Sequence, residues 1–359
     1  MLVFHGYPYF HPFQTMTKPD HIDSREGLPD LPLTRPPLPR PILSLIVPVY
    51  NVATFLERCL DSLTSQTLDG LEILCVDDGS TDQSPAILAG YAARYPQLRV
   101  IRQVNGGPSL ARNTGLDNIS GEYVGFVDAD DWIEPNYYTQ LLELARSNNL
   151  DMAHGNAMFH YEGRQQDRSI YSDNLSAEVM PGREVLRRRL ADQSLLHMVW
   201  MHLYRSDFIK RHKLRFIPET DGHEDVLWTT SAFVEAQRVA YDPFPGYFYR
   251  KPLRELATDA KDKSLEGEIR SFATIARGMR ELAAPLEDDP RLQQLLHWQM
   301  VDGAMSIFHK LKQINSSQVR RRVYRKLRAD GLYRLLWSHA KLGSQRRRIA
   351  RSWFKSWMA

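Results

Sequence analysis

"FVDADDW", residues 126–132, sets three carboxylates within four positions, directly behind a run of apolar residues. Asp128, Asp130 and Asp131 repel one another, and a simple turn needs only residues such as Gly and Asn. The excess negative charge implies a cation to hold. Mg2+ and Mn2+ are hard ions that take oxygen ligands; typically one or two carboxylates grip Mg2+ while substrate phosphates complete its shell. The competing reading is a solvated turn or helix cap, because "DWIEPNYY" opens a helix.

The surroundings decide between fold classes. "PILSLIVPVY" carries a continuous apolar run over residues 42–47, as a strand buried on both faces requires. "TFLERCLDSLTSQ" then repeats Leu56, Leu60 and Leu63 at helical spacing, with Thr54 and Glu57 matching a capping box. "LEILCVDDGS" is a second strand ending in acids. "SPAILAGYAARY" starts a helix with Ser84 as cap and Pro85 in the first turn. "LRVIRQV" gives a third strand, "SLARNTGLDNI" a helix, "YVGFVDADD" a fourth strand and "EPNYYTQLLELARSNN" a helix. Strands alternating with helices predict an α/β fold with a mostly parallel, Rossmann-like sheet flanked by helices. Such sheets bind ligands at the carboxyl ends of their strands. "VYN", "DDGSTD", "NGG" and "DADD" all fall there.

The second half is less regular. "DMAHGNAMF" reads as a strand, "GREVLRRRLADQ", "RSDFIKRHK" and "EDVLWTTSAFVEAQ" as helices, and "RVAYDPFPGYFYR" as strand and turn. From about residue 263 the pattern is helical. The expected organisation is a Pro-rich leader over 1–40, which holds eight of the 21 prolines, a catalytic domain over 41–260, and a helical, basic extension over 261–359.

Composition narrows the class. Hydrophobic residues make up 43% of the 359, enough for a sizeable core. Cys59 and Cys75 sit in apolar runs and exclude a disulfide scaffold by number. No apolar stretch reaches the roughly 18 residues of a spanning helix, and the amino terminus lacks a secretory pattern, so the expected location is cytoplasmic. The net charge of +3 hides an asymmetry: residues 320–359 hold thirteen Lys or Arg against Asp330 alone, while the rest of the chain is net acidic.

In order, spacing and strand context, "VPVYN" (47–51), "VDDGSTD" (76–82), "NGGPSLARNTGL" (105–116) and "FVDADDW" (126–132) together resemble glycosyltransferase family 2. The resemblance is close over residues 42–135 and looser to about 258. It implies the GT-A fold and sugar transfer with inversion from a nucleotide-diphosphate donor, UDP-linked in the expected case. It implies that Pro48, Tyr50 and Asp78 line the nucleoside pocket, with Asp78 at the base. Asp128 and Asp130 match the family's D-x-D motif: Asp130 as main metal ligand, Asp128 on the ribose or metal side, with Asp131 touching the sugar or supporting its neighbours. Arg112 would neutralise carboxylates or phosphate, or pair with the "DDGS" turn. The implied cofactor is Mn2+ or Mg2+, acting as a Lewis acid on the departing diphosphate.

Inversion needs a base opposite the leaving group. "GHEDVLW" (222–228) resembles the family's "ED" segment and offers Asp225 as base, Glu224 as alternate or substrate-hydroxyl contact, and His223 as a third choice. The alternative is an ordinary acidic helix start, which the helix dipole favours. "VWMHLYRSDF" (199–208) resembles a segment that usually reads W-x-K-L-Y-R; His202 stands in place of the Lys and would offer phosphate or acceptor a neutral or pH-dependent donor, and Trp200 would stack on a sugar or fill the core. "YFYRKPLRELAT" resembles the segment that closes the family's catalytic domain, which implies Arg250 as a diphosphate contact and Thr258 as what is left of a Ser-x-Thr.

The basic tail interleaves Arg with Trp337, Trp353, Phe354 and Trp357, a composition suited to an anionic membrane surface through residues 320–359. No module for nucleic acid is recognised. The expected protein is therefore a glycosyltransferase, peripheral on the inner membrane, that builds a bacterial surface glycan or acts on a lipid-linked acceptor. The rivals are a non-catalytic nucleotide-sugar-binding scaffold and a nucleotidyltransferase; the second would carry a Gly-rich phosphate loop at its first strand, and "VPVYNVATF" has none.

Overall fold

The computed structural model describes residues 41–162, 167–171, 178–218, 220, 223–251 and 261–357, with the backbone alone for 261–264. The leader expected over 1–40 and Thr258 lie outside the described residues. In chain order the elements of the first half are β1 (Leu43–Val49), α1 (Ala53–Thr64), β2 (Leu71–Asp77), α2 (Ser84–Arg94), β3 (Leu98–Arg102), α3 (Pro108–Asp117), β4 (Tyr123–Phe126), β5 (Trp132–Ile133) and α4 (Tyr137–Ser147). Then come β6 (Met152–His154), β7 (Ala157–Tyr161), β8 (Arg168–Ser169), α5 (Gly182–Ala191), β9 (His202–Arg205), α6 (Ser206–Arg211), α7 (Glu224–Glu235), β10 (Val239–Tyr241) and β11 (Tyr247–Lys251). Five helices end the chain: α8 (Lys261–Ala283), α9 (Pro290–Gln313), α10 (Ser317–Ala329), α11 (Leu332–His339) and α12 (Gly343–Trp357).

Seven strands form one sheet in the order β10-β6-β9-β4-β1-β2-β3. All its pairs are parallel except the two made by β9, which runs antiparallel to β4 and β6. A second sheet, β5-β11-β7-β8, stands beside it. The side-chain alternation of the central strands sorts the interior into two cores. Leu43, Leu45, Val47 and Val49 point to the side covered by α1, α2 and α4. Ile46, Val124 and Phe126 point to the other side, where they meet α5, α6, α7 and the carboxy-terminal helices. Trp228 of α7 is fully buried there, edge-on to Phe126 and stacked on Phe216 at 4.4 Å. Residues of α8 to α12 share this core, from Leu265 to Ile349.

Several local expectations change. Thr54 and Glu57 form no capping box. The helix begins at Ala53, and the Val52 and Ala53 amides donate instead to Ser84 Oγ (3.1 Å) and Asp82 Oδ2 (2.9 Å) of the next loop. Ser84 is accordingly the first residue of α2 and not its cap. "DMAHGNAMF" breaks into β6 and β7, and "RVAYDPFPGYFYR" into β10 and β11, each pair divided between the two sheets. At the first break a side chain on Gly155 would sit 2.5 Å from the Tyr137 hydroxyl, so the chain crosses there only as glycine. The acids of "DADD" follow the strand rather than extending it, since β4 ends at Phe126.

Candidate active site

The parallel register puts the ends of β1 and β2 side by side, with Val49 opposite Asp77, while β4 flanks β1 on its other edge. The loops after these strands therefore share one rim of the sheet. Asn51, in the left-handed region at φ 49°, accepts the Thr81 amide at 2.8 Å and joins the first loop to the second. Tyr50 is half exposed beside it, and Pro48 is partly buried opposite Val76.

Asp78 is 2% exposed. Its Oδ1 accepts from Gln103 Nε2 (2.7 Å) and the Gly106 amide (2.9 Å), and its Oδ2 from the Gly107 amide (2.8 Å). It thereby closes the "NGG" loop onto the end of β2. Gly107 turns its amide inward at φ 84°, a conformation that L side chains rarely adopt. Gly106 and Gly107 belong to the "NGG" segment that the sequence places at this rim, whereas Gln103 falls in the "LRVIRQV" run before it and carries no motif signal.

The three acids of "DADD" part company. Asp131 is 1% exposed, its Oδ2 accepting from the Tyr247 hydroxyl and its Oδ1 from the Arg250 amide, both at 2.8 Å. Burial pushes its carboxyl well above the usual range, with Asp128 and Asp130 adding to the effect. Asp131 is thus an anchor for the loop, which corrects the expectation of a sugar contact. Asp128 and Asp130 remain partly exposed, at 26% and 39% of the side chain. Arg250 Nη2 reaches Asp130 at 3.3 Å, with its guanidinium over the Phe55 ring and its other arm on Glu162. Burial, then Asp128, raises the Asp130 carboxyl above its ordinary value despite that arginine. Tyr247, which the sequence reading passed over, links this loop to the second sheet: its oxygen also accepts the Asp128 amide at 3.1 Å.

Arg112 ties the site together. It projects from α3, 4% exposed, and meets Asp128 Oδ1 at 2.8 Å, Glu224 Oε1 at 2.5 Å and Asp225 Oδ1 at 3.4 Å. Its partners are these acids and not the "DDGS" turn. Glu224 and Asp225 open α7 directly after His223, whose φ of 67° makes the sharp entry. Asp225 Oδ2 accepts the Val199 amide at 3.2 Å, whereas Oδ1 has no hydrogen-bond donor among the described residues. Burial pushes the Asp225 carboxyl up to about 8; Arg112 opposes this, and Glu224 and Asp128 reinforce it. A carboxyl that titrates near neutrality and keeps one buried oxygen without a hydrogen-bond donor has the chemistry of a general base.

Three expected contacts lie elsewhere. Trp200 is 2% exposed and stacks on Tyr247 at 4.1 Å, so it supports the acid loop from below and faces no sugar. His202 is fully buried with its Nδ1 3.0 Å from that of His154, a pair enclosed by aromatic rings. Burial drives both histidines toward the neutral form, His202 to about 3. An ammonium at position 202 would have no water there, which corrects the expected phosphate or acceptor contact. His223 packs on Phe272 of α8, with Glu268 and Lys310 as charged neighbours, instead of joining Asp225.

Among the described residues no three His, Cys, Asp or Glu side chains form a ready cation cage. Asp128 and Asp130 still fit a divalent ion of the Mg2+ type, because two partly exposed carboxylates suffice when diphosphate oxygens complete the shell.

Comparison with known proteins agrees with this arrangement. The sequence profile of glycosyl transferase family 2 matches residues 44–212. An uncharacterized glycosyltransferase of Escherichia coli, YibD, is 33% identical over 299 residues, covering 82% of this chain and 86% of its own. A poly(ribitol-phosphate) beta-glucosyltransferase of Bacillus spizizenii is 31% identical over 212 residues, 58% of this chain and 32% of its own. The crystal structure of S. aureus TarS 1-349 in complex with UDP-GlcNAc superposes with a TM-score of 0.54 at 21% identity, covering 87% of this chain and 89% of that one. With the four strand-end motifs in order on a GT-A sheet, and 33% identity to YibD across most of both chains, the protein belongs to glycosyltransferase family 2.

Proposed function

We propose that this glycosyltransferase moves a sugar, with inversion, from a UDP-linked donor to a bacterial surface glycan or a lipid-linked acceptor. The observation that carries the reading is the Arg112 bridge, which joins donor-side Asp128 to Glu224 and Asp225 in one cluster. Asp225 would accept the proton of the acceptor hydroxyl as its oxygen bonds to the anomeric carbon. The bond from that carbon to the diphosphate breaks on the opposite face, and the nucleoside diphosphate leaves with the electron pair. Glu224 would hold Arg112 in place or meet a substrate hydroxyl. Tyr50, Pro48 and the loop closed by Asp78 would frame the nucleoside, and Arg250 would face the diphosphate.

Asp130 and Asp128 would hold Mn2+ or Mg2+; such an ion neutralises the departing diphosphate as a Lewis acid. Residues 41–260 would form the catalytic unit and 261–359 an extension that brings it to a membrane-held acceptor. The name of the B. spizizenii relative favours a polymeric acceptor, and the UDP-GlcNAc in the TarS structure favours a UDP-sugar donor.

The test is donor hydrolysis across a panel of nucleotide-sugars, with Mn2+ and with chelator. A UDP-sugar should be cleaved only with metal, and Asp130→Asn should lower the rate at least a hundredfold without changing the melting curve. Donor binding without any turnover would favour the scaffold instead. Undiminished turnover in chelator would remove the metal from the mechanism.

A further inference from the structure

Helix α12 is amphipathic the wrong way round for a helix that only packs on its own protein. Its buried side chains are Gln345, Ile349, Ser352 and Ser356. Its outward face carries Trp353, Phe354 and Trp357, which are 48%, 62% and 65% exposed. At 100° per residue these rings fall on one arc beside the buried stripe, from Trp353 at its edge to Phe354 opposite it. A surface helix ordinarily turns its large apolar groups inward, and a cluster of exposed aromatics marks a contact with something outside the chain.

The charge around those rings says what that something is. Arg347, Arg351 and Lys355 are exposed on the arc of α12 that continues from Phe354, on the far side from Trp353. Beside Lys355 a cleft of about 430 Å³ opens between the end of α9, α10 and α12, lined by Lys312, Arg320, Arg321 and Tyr324. Aromatic rings at an apolar boundary, flanked by cations and adjoining a basic cleft, match a bilayer interface with anionic headgroups. A protein partner would need a complementary acidic, ring-accepting surface. A second copy would oppose one basic helix to another, since α10 to α12 hold a single acid, Asp330.

We infer that the outward face of α12, with the cleft at Lys355, docks on an anionic lipid bilayer. Trp353, Phe354 and Trp357 enter the interface, and Arg320, Arg321 and Lys355 receive a headgroup phosphate. No helix among the described residues is long and apolar enough to cross a membrane, so attachment through this face is peripheral. Each cation near such a surface multiplies affinity about fivefold, so the face as a whole binds reversibly and weakens with salt.

Cosedimentation of the full chain with vesicles tests this, using phosphatidylcholine alone and phosphatidylcholine with 30% phosphatidylglycerol. The anionic vesicles should bind at least tenfold more protein. Trp353→Ser/Phe354→Ser/Trp357→Ser and, separately, Arg321→Glu/Lys355→Glu should each lower binding at least tenfold. Donor hydrolysis in solution, read in parallel, should stay at the wild-type rate in both variants. That readout separates this inference from the catalytic one, because either can fail alone. Equal binding to neutral vesicles, or wild-type binding by the aromatic variant, overturns the inference. So does light scattering that shows a dimer of the full chain dissociated by the aromatic substitutions, since a second copy would then cover the face.

Discussion

Arg112 Nη2 donates to Asp128 Oδ1 at 2.8 Å, a bond that joins the helix after β3 to the loop after β4 across the rim of the sheet. The same guanidinium meets Glu224 and Asp225. One cation thus compensates three carboxylates in a site with little water, and its own proton is held more firmly than in a free arginine by those neighbours.

Arg112→Met removes the cationic partner that three clustered acids share. Breaking a buried pair by deleting one partner costs roughly 3–5 kcal/mol. The melting temperature should fall by many degrees at pH 8 and by less at pH 5, where Asp225 carries its proton. Arg112→Lys should restore stability in part and activity little, because a single ammonium cannot reach both Asp128 and Glu224 in fork geometry. Calorimetry and donor hydrolysis on the two variants check this.

The pH profile should report Asp225. A base must be deprotonated, so kcat/KM should rise with pH and level off above about 8. Stability should run the other way. The folded carboxyl binds its proton more tightly than the unfolded one, so this group's contribution to stability falls as pH climbs from about 4 to about 8. Asp225→Asn should therefore lose transfer activity yet melt above the wild type at pH 8.5, with the gap closing at pH 5. A pH profile unchanged by the substitution would move the base role to another group.

Tyr247→Phe deletes one oxygen that serves both Asp131 and the Asp128 amide. Each buried group left unpaired costs about 1–3 kcal/mol. The melting temperature should drop, and the Mn2+ concentration needed for half-maximal turnover should rise severalfold, since the loop carrying Asp128 and Asp130 loses its tether. A metal titration of turnover reads the second effect.

His154 and His202 should make the fold acid-sensitive. Their folded pKa values lie below the ordinary imidazole value, so the stability they contribute is present above about 6.5 and lost as pH falls through that range. Replacing one alone leaves the other Nδ1 buried without its partner and should destabilise at every pH. The double variant His154→Leu/His202→Leu should melt near the wild type at pH 7.5 and above it at pH 5. Thermal melts across this range decide the matter.

Much of the fold was legible because its signals are local. The apolar runs of β1 and β2 and the leucine spacing of α1 express backbone periodicity, which a linear chain displays directly. The strand-end motifs were legible for the same reason: a parallel sheet sends every loop after a strand to one rim. The short strands β6, β7, β10 and β11 were not, because a break at Gly155 or Pro245 looks the same whether the chain stays in one sheet or crosses to another.

By itself the sequence determined the α/β class, the family and the set of acids at the sheet rim, since periodicity and motif order need no third dimension. Only the tertiary structure decided what each side chain does. Burial turned Asp131 into an anchor, sank Trp200 and His202 into the core, and placed Arg112, 112 positions before Glu224, against it. It also turned the rings of α12 outward, away from Ser352 and Ser356. Exposure and long-range charge pairing depend on which surfaces meet, and the spacing of residues along the chain does not encode that meeting directly.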